Sequence, residues 1–454
     1  MEKILSKIKK IHFIGISGAG MSGLARLFYD KGAVVTGSDI SLKGYLCGLD
    51  KLVKVFCGHS GGNITDVDAV CFSSAIGEDN AELLEARKRN LCVLHRSDLL
   101  ALIVAANKSI AVSGSHGKTT VTALLSYVLK RLGDDPSAII GGVPRDYEYN
   151  AWWGNGHFVF EADESDGSFL KYKPCITVIT NIDADHLDYY TDIKAVYNAF
   201  EAFAANAKDR VVVCGDNPLT EKISSIVGAV RYGMADKNDV RAENIEYTDR
   251  DVSFDIVCRD KKVKVSVQLF GRHNVYNVLA VFSVMDILGF DLQKVSDAVG
   301  DFSGIKRRLE ICSRAGSVTF FDDYAHHPTE ISAVLDALGH IGNKRIIVLF
   351  EPHRFSRIEK LYADFVKCFK GAYRVFVTDV YSASEQGYDI DYDKLAADIA
   401  AGSKVDTVYF PSDRFVSSVA DSIVPESIVI GVGAGNITEI VRKIAYSFGA
   451  ENDL

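Results

Sequence analysis

The chain has 454 residues, of which 48% are hydrophobic and 24% are charged, and its formal net charge is −9. This length predicts about three domains at roughly 150 residues each, with a core large enough to fold without disulfides. The acidic balance argues against nucleic acid as the main partner. No stretch approaches the roughly 18 apolar residues of a spanning helix, so we expect no membrane insertion.

The cysteines and the N-terminal segment indicate the compartment. Nine cysteines are scattered along the chain and none forms a C-x-x-C pair, which is typical of reduced cytosolic thiols. Residues Met1 to Lys10 include four lysines, but the apolar run that follows is too short for a signal peptide. We therefore expect a cytoplasmic protein, and both a monomer and a homodimer are compatible with the sequence.

The first strand-turn-helix pattern contains Gly18 to Gly23, a G-x-G-x-x-G after a strand predicted at Ile11 to Ile16. Asp39 ends the next predicted strand, 21 positions after Gly18. This pattern is typical of a diphosphate at a helix N-terminus, with an acid for a sugar hydroxyl. It fits a UDP-sugar and equally a nicotinamide dinucleotide, so a dehydrogenase is an alternative. A tight turn without a ligand is another.

The strongest motif is the segment Gly114 to Thr120. It lies between a predicted strand, Ser109 to Val112, and a segment with helical apolar spacing, Val121 to Leu132. Such a turn presents backbone N–H groups and the positive helix end to an anion. Lys118 supplies a positive charge and Thr119 a hydroxyl for Mg²⁺. The segment lacks the first glycine of the general P-loop, but it favours a nucleoside triphosphate over a turn without a ligand.

Acidic segments follow two further predicted strands. Glu161 begins a run, ending at Asp166, in which five of six residues are acidic or hydroxylic. His186 lies among acids after the strand predicted at Ile176 to Asn181. We expect both segments at the sheet edge that carries the phosphate loop, where an acid can hold Mg²⁺. His186 suits a second metal or a proton role. A solvated acidic loop and a structural histidine are the alternatives.

A segment with an amide side chain precedes the last third of the chain. We predict strands and turns at an antiparallel edge over residues 240–270, and a long helix that starts at Asn277. The Asn277 amide matches the donor and acceptor edge of adenine, and a helix cap is the alternative.

Two polar segments follow strands in the last third. His326 and His327 could bind a metal, although neighbouring residues rarely point the same way on a strand. Arg354 and Arg357 are expected to share a helical face. Their planar guanidinium groups suit a carboxylate, and a solvated basic turn is the alternative.

Strands and helices alternate throughout, which predicts parallel sheets covered by helices. We therefore expect an α/β protein of three domains. They are a Rossmann-like domain for a UDP-sugar or a dinucleotide at residues 1–107, a central P-loop ATPase-like domain at 108–310 and a C-terminal Rossmann-like domain at 311–454.

Five segments together resemble the Mur ligases of peptidoglycan synthesis, and the resemblance covers essentially the whole chain. They are Gly114–Thr120, Glu161–Ser168, Asn181–His186, Asp322–Pro328 and Pro352–Arg357. The resemblance implies an ATP-dependent ligase that joins L-alanine to the carboxylate of UDP-N-acetylmuramate through an acyl phosphate. ATP and Mg²⁺ would be required. A ligase for a whole peptide and a non-catalytic sensor of the nucleotides are the rival readings.

The resemblance also implies residue roles. ATP would be bound by the phosphate loop and three distant residues: Gly114, Ser115, His116, Gly117, Lys118, Thr119, Thr120, Asn277, Arg308 and Asp323. Thr119, Glu161 and His186 would hold magnesium, and His326, Arg354 and Arg357 would place the alanine. The UDP-sugar would be bound by Gly15, Ser17, Gly18, Ala19, Gly20, Met21, Ser22, Asp39, Ser73 and Ser74.

Three positions depart from the family pattern. Several relatives use a carbamylated lysine 15 positions after the histidine that is His186 here, but Glu201 stands there, and we expect no lysine modification to be needed. Ser115 stands where threonine is common, and we expect little effect because the hydroxyl is kept. Ser17 stands where glycine is usual, which requires a negative φ at this residue.

Overall fold

The computed structural model describes residues 5, 7–42, 46, 48–186, 189–248, 251–342, 344–383, 385 and 390–449. The chain divides into two compact units. Unit 1 comprises Met1–Asn244, Phe254–Ser266 and Tyr276–Ser303, and unit 2 comprises Ile245–Ser253, Val267–Val275 and Gly304–Leu454. Among the described helices, none is both long enough and apolar enough to cross a membrane.

The strands are numbered in chain order. Strands β1 to β21 are Lys10–Ile14, Val34–Asp39, Lys54–Cys57, Ala69–Phe72, Cys92–His95, Ser109–Ser113, Ser137–Ile139, Ala151–Trp152, Phe158–Glu161, Ile176–Ile179, Arg210–Cys214, Val230–Gly233, Val240–Tyr247, Val252–Cys258, Lys261–Val267, Glu310–Ala315, Val318–Asp323, Arg345–Phe350, Arg374–Val377, Asp406–Tyr409 and Ser427–Val432.

The helices are numbered in the same way. Helices α1 to α14 are Ala19–Asp30, Ala81–Lys88, Arg96–Ala106, Lys118–Arg131, Ile193–Ala205, Pro218–Val227, Arg272–Ile287, Leu292–Gly300, Pro328–Gly339, Phe355–Lys360, Tyr362–Phe365, Tyr392–Ser403, Ser412–Ala420 and Ile437–Ser447. Short 3₁₀ helices cover Leu49–Lys51, Gly61–Asn63 and Ser168–Lys171.

The first sheet has five parallel strands in the order β3-β2-β1-β4-β5. Strands β2 and β3 therefore lie on one side of β1, and β4 and β5 lie on its other side. The strand order reverses between β1 and β4, which is the topological switch point of the sheet. In open α/β sheets, ligands bind beyond the carboxyl ends of the strands at such a point. The segments that follow β1 and β4 contain the residues predicted for the UDP-sugar, except Asp39, which ends β2.

The second sheet has ten strands in the order β15-β14-β13-β12-β11-β10-β6-β9-β7-β8. Strand β6 lies between β10 and β9 and is parallel to both. The segments after these three strands therefore emerge at one edge of the sheet, which confirms that expectation. The strands predicted over residues 240–270 are present as β13 to β15, at one end of the sheet.

A continuous hydrophobic cluster joins the first two sheets within unit 1. It extends from Phe13 and Phe28 beside the first sheet, through Ile139, to Phe160 and Phe200 beside the second. These residues come from the apolar runs that the sequence predicts as strands and helices. The predicted first and second domains thus share a core, and their boundary at 107/108 stays a prediction.

The third sheet, in unit 2, has the order β16-β17-β21-β18-β19-β20. Strand β16 is antiparallel to β17, and the other pairs are parallel. Apolar clusters cover both faces, one around Phe321 and Val348 and the other around Phe320 and Ile347. The central strands read as continuous apolar runs because both faces are buried. The less buried edge strands β16 and β20 lack that signal, and the sequence did not predict them.

Candidate active site

The phosphate loop follows β6 and opens helix α4 in unit 1. Gly114 has a φ of +134°, and a Cβ there would lie 2.1 Å from the Thr180 hydroxyl oxygen. Gly117 has a φ of +85° and precedes the first residue of α4. A Cβ on Gly117 would lie 2.6 Å from Asn277 Oδ1. Both glycines are therefore required by backbone conformation and by close packing.

The segment after β10 supports this loop through hydrogen bonds. The backbone N–H of His116 donates to Asn181 Oδ1 at 2.9 Å, and the Thr180 hydroxyl donates to the His116 carbonyl at 2.6 Å. The Ser115 hydroxyl accepts from the backbone N–H of Asp183 at 2.9 Å. A hydroxyl at position 115 is used by the fold, which explains why serine can stand in for threonine. Thr120 is buried in the first turn of α4.

Lys118 is folded back onto the loop. Its Nζ lies 2.8 Å from Glu164 Oε1 and donates to the Gly114 carbonyl. Burial alone would lower the pKa of Lys118, but the carboxylates of Glu164, Asp163 and Glu161 outweigh it and raise this pKa. Glu164 is 1% exposed, and its Oε2 has no hydrogen-bond partner. The loop therefore holds a fully charged lysine at the start of α4.

The Thr119 hydroxyl and the Glu161 carboxylate fit a magnesium ion. Thr119 Oγ1 lies 3.3 Å from Glu161 Oε2. Two oxygens at neighbouring positions of an octahedral Mg²⁺ site lie about 2.9 Å apart, since each metal–oxygen distance is about 2.05 Å. A side chain on Gly141 would lie 2.7 Å from Glu161 Oε2, so glycine leaves the carboxylate its space.

His186 lies beside the same carboxylate as Lys118. Its Nε2 is 3.4 Å from Glu164 Oε1 and 3.6 Å from Asp185 Oδ2. Burial lowers the pKa of His186, but Glu164 and Asp185 outweigh burial and raise it overall. The structure thus brings Lys118 and His186 together through Glu164. Glu164 was not among the residues predicted for the site, because only its burial distinguishes it from the neighbouring acids.

Asn277 lies against the phosphate loop but not at a helix start. Helix α7 begins at Arg272, so the expectation that Asn277 starts or caps the long helix is wrong. The first turn is formed by residues that lack apolar periodicity, and the sequence pattern therefore placed the start too late. The Asn277 side chain is buried.

The residues predicted for the UDP-sugar line the switch point of the first sheet. Gly15 has a φ of +80°. The φ of Ser17 is not positive, which is the condition for a serine to replace the usual glycine there. Asp39 Oδ2 accepts from the Ser17 backbone N–H at 2.9 Å and so holds the turn. The Ser73 hydroxyl faces Gly15, and the Ser74 hydroxyl contacts His95 Nε2 at 3.1 Å.

The rest of this predicted set forms the start of α1. Gly18 is the N-cap residue and donates its N–H to the Gly15 carbonyl at 3.2 Å. Ala19 and Gly20 begin the helix, and Met21 and Ser22 are buried in its first turn.

Unit 2 brings histidines and arginines together after β17 and β18. The His326 and His353 rings lie 5.6 Å apart, and Arg357 Nη1 donates to His353 Nδ1 at 2.9 Å. Burial, His326 and the two arginines Arg357 and Arg354 lower the pKa of His353 to about 3. His353 is therefore neutral at pH 7. It lies in a segment that the sequence singled out, but it was not given a role there.

Two expectations for this cluster need correction or refinement. Arg354 has a φ of +66° and precedes α10, so it does not share a helical face with Arg357. His327 caps α9 by accepting from the Thr329 N–H, whereas His326 Nδ1 donates to the Tyr324 carbonyl at 2.9 Å. These two imidazole contacts differ, although both backbone N–H groups donate to Glu330 Oε2.

Asp323 is the last residue of β17, and Arg308 lies just before β16. Asp323 accepts from the backbone N–H groups of Leu309 and Ala325, each at 2.7 Å. Burial raises the pKa of Asp323 to about 6 despite these bonds and the charge of Arg308. The Arg308 guanidinium lies over the Tyr324 ring at 5.3 Å.

Three family models match the chain. They are described as Mur ligase family, catalytic domain (residues 10–108), Mur ligase middle domain (112–285) and Mur ligase, glutamate ligase domain (307–435). A UDP-N-acetylmuramate–L-alanine ligase from Syntrophus aciditrophicus is 38% identical over 96% of this chain and 92% of the relative.

Solved structures agree. The UDP-N-acetylmuramate–alanine ligase of Thermotoga maritima matches with a TM-score of 0.82 and 30% identity, over 97% of this chain and 99% of that one. A murein peptide ligase from Psychrobacter arcticus shares the fold, with a TM-score of 0.70 and 22% identity over 97% and 99%. The phosphate loop, the acids at the strand ends and these full-length similarities lead to one conclusion: the chain belongs to the Mur ligase family.

Proposed function

We propose that this Mur ligase uses ATP to join L-alanine to the carboxylate of UDP-N-acetylmuramate, in the cytoplasmic synthesis of peptidoglycan precursors. The use of ATP in this proposal rests on one observation, the cluster of Lys118, Glu164 and the Thr119–Glu161 pair at one edge of the second sheet. The choice of alanine rests on the full-length similarity to enzymes named as alanine ligases.

In this proposal the phosphate loop, Gly114 to Thr120, binds ATP, and Asn277 contacts adenine. Lys118 exchanges its contact with Glu164 for the transferring phosphate. Thr119 and Glu161 would hold one Mg²⁺, and His186 would hold a second. The bound ions supply charge neutralisation for phosphoryl transfer. Arg308 and Asp323 are proposed to contact the nucleotide.

The reaction proceeds in two steps. A carboxylate oxygen of the sugar nucleotide bonds to the γ-phosphorus of ATP, and ADP leaves. The neutral amine of alanine then bonds to the acyl carbon, phosphate leaves and the nitrogen loses a proton. In unit 2, Arg354 and Arg357 would bind the carboxylate of alanine, because guanidinium forks match carboxylates. His326 would orient the amine through Nε2, since its Nδ1 donates to a carbonyl.

Phosphate release tests the proposal. ATP, Mg²⁺ and UDP-N-acetylmuramate are incubated with L-alanine, glycine, L-serine or a tripeptide. We expect release that depends on L-alanine, with a product heavier by one alanyl residue. Release with the tripeptide alone would move the protein to the peptide ligases. Tight binding of the sugar nucleotide without release in any mixture would favour a sensor and overturn the catalytic proposal.

A further inference from the structure

Arg96, the first residue of α3, lies on the glycine-rich turn that begins α1. A Cβ built on Gly20 would lie 2.7 Å from Arg96 Nη1 and 3.3 Å from its Cδ. A side chain at position 20 would displace the Arg96 guanidinium from this place. The guanidinium is therefore packed directly against the first turn of α1, although Arg96 follows β5 and comes from a distant part of the chain.

The positive charge of Arg96 is poorly neutralised. The side chain is 21% exposed, and its ion pair with Asp166 spans 3.6 Å, longer than a hydrogen bond. Asp166 Oδ1 accepts from the backbone N–H of Ser168, and Asp98 on α3 is bound by Lys171 at 2.6 Å. Within the described part of the chain, the guanidinium donates no hydrogen bond. The guanidinium N–H groups are therefore available to an anionic ligand.

The helix start beneath Arg96 has no acid in its first turn, and the carboxylate at the preceding turn, Asp39, accepts from the Ser17 N–H. The N-cap residue Gly18 offers no side-chain acceptor. Ser17 is 6% exposed, and its hydroxyl has no partner. The helix start carries a partial positive charge, so Arg96 adds like charge to it. A group with two negative charges would relieve this repulsion and accept hydrogen bonds from the Arg96 guanidinium and from the α1 start.

We propose that Arg96 binds the diphosphate of the sugar nucleotide. This inference rests on the proposed function, since it adds a ligand-binding residue to the UDP-sugar site. The guanidinium fork matches two phosphate oxygens at once, and the α1 start supplies backbone N–H groups from the other side. Asp166 holds the guanidinium loosely at this position until the diphosphate replaces it.

Binding of UDP, UMP and uridine tests the inference without catalysis. Titration calorimetry compares the wild type with Arg96→Ala, Arg96→Lys and the matched control Arg26→Ala. Arg26 lies further along α1 and pairs with Asp30 at 2.8 Å. We expect Arg96→Ala to weaken UDP binding about 10- to 100-fold, as for the loss of a charged hydrogen bond. Uridine binding should change less than 3-fold, and Arg96→Lys should lie in between.

The outcomes separate this inference from the proposed function. If wild-type protein fails to bind UDP, the proposed sugar-nucleotide site itself is wrong. If the wild type binds UDP and Arg96→Ala binds it equally well, only the role of Arg96 is overturned. Asp166→Asn distinguishes a structural role: we expect UDP affinity to hold or rise, whereas a loss equal to that of Arg96→Ala would show that the ion pair merely shapes the turn. In turnover, Arg96→Ala should raise KM for the sugar nucleotide and leave kcat within 3-fold, because the diphosphate does not react.

Discussion

The phosphate loop after β6 and the glycine-rich turn after β21 share one pattern, a central parallel strand, a glycine turn and a helix, but they differ in charge. Lys118 is the first residue of α4, and the first turn of that helix has no acid. In the glycine-rich segment after β21, the backbone N–H of Asn436 donates to Glu351 Oε1 at 2.8 Å. Glu439 lies in the first turn of helix α14.

The difference shows that the strand-turn-helix pattern alone does not make a nucleotide site. A helix N-terminus attracts an anion in either case. At α14 the chain supplies that anion itself, through the buried Glu351. At α4 the chain places a cation, Lys118, at the helix start, and the carboxylate that pairs with it, Glu164, contacts the lysine side chain and not the helix N–H groups. The side chains brought to the turn by neighbouring strands therefore decide which turn is open to a ligand.

The largest effect should come from removing the cation of the phosphate loop. We expect Lys118→Met to lower kcat/KM for ATP about 10³-fold, since one preorganised donor to a developing charge is lost. Lys130→Met is the matched control, because Lys130 lies at the other end of α4, 5.1 Å from the Tyr147 ring centre. Steady-state phosphate release measures both variants. A Lys118→Met enzyme within 10-fold of wild type would contradict the assignment.

The next effect concerns the backbone of the same loop. Gly114→Ala should destabilise the protein by about 3 kcal/mol, because it combines a strained φ with a clash in a packed region. Gly228 has a φ of +64° and no atom within 4 Å of a built Cβ. Gly228→Ala should therefore cost only about 1 kcal/mol. Denaturant unfolding compares the two, and equal losses would show that packing around Gly114 does not matter.

A third test asks how much a buried carboxylate stabilises the fold. Glu82 is buried, and although burial opposes it, hydrogen bonds from His12, Ser38 and Asn63 lower its pKa from 4.5 to about 2. A lowered carboxyl pKa stabilises the fold above the unfolded value and loses this contribution as pH falls from 4.5 to 2. At pH 7 we expect Glu82→Gln to cost about 3 kcal/mol.

The pH dependence of unfolding provides the check on Glu82. The difference between wild type and Glu82→Gln should shrink below pH 4.5 and vanish near pH 2. Glu85→Gln, on the same helix and with a side chain 30% exposed, should differ from wild type by about 0.5 kcal/mol or less. A Glu82→Gln difference that does not vary with pH would mean that packing, not charge, is lost.

The smallest effect should follow from removing the Glu351 carboxylate from the turn after β21. Burial raises the pKa of Glu351, so its charge is held at some cost, and we expect Glu351→Gln to be nearly neutral. Glu351→Ala should cost about 1–2 kcal/mol, because the N–H groups at the α14 start lose an acceptor. Phosphate should then raise the Tm of Glu351→Ala more than that of wild type. Equal shifts in both proteins would contradict the view that Glu351 takes the place of an anion.

Much of the fold and part of the candidate site could be predicted from the sequence. The central strands are apolar runs that local pattern identifies, and Gly114 to Thr120 marks the phosphate loop. Edge strands β16 and β20 were missed because half-buried strands mix polar and apolar residues. The start of α7 was placed at Asn277 rather than Arg272, since polar first turns carry no periodic signal.

By itself, the sequence determined where the turns lie, which strands are buried and which polar residues follow them, because these are properties of short segments. Only the tertiary structure decided how charges are paired. Glu164 contacts both Lys118 and His186. Glu351 accepts a hydrogen bond from the N–H of Asn436 at the start of α14. The Arg96 side chain packs against Gly20. Each of these contacts joins segments distant in the chain, and electrostatic interaction depends on distance in space rather than on separation in sequence.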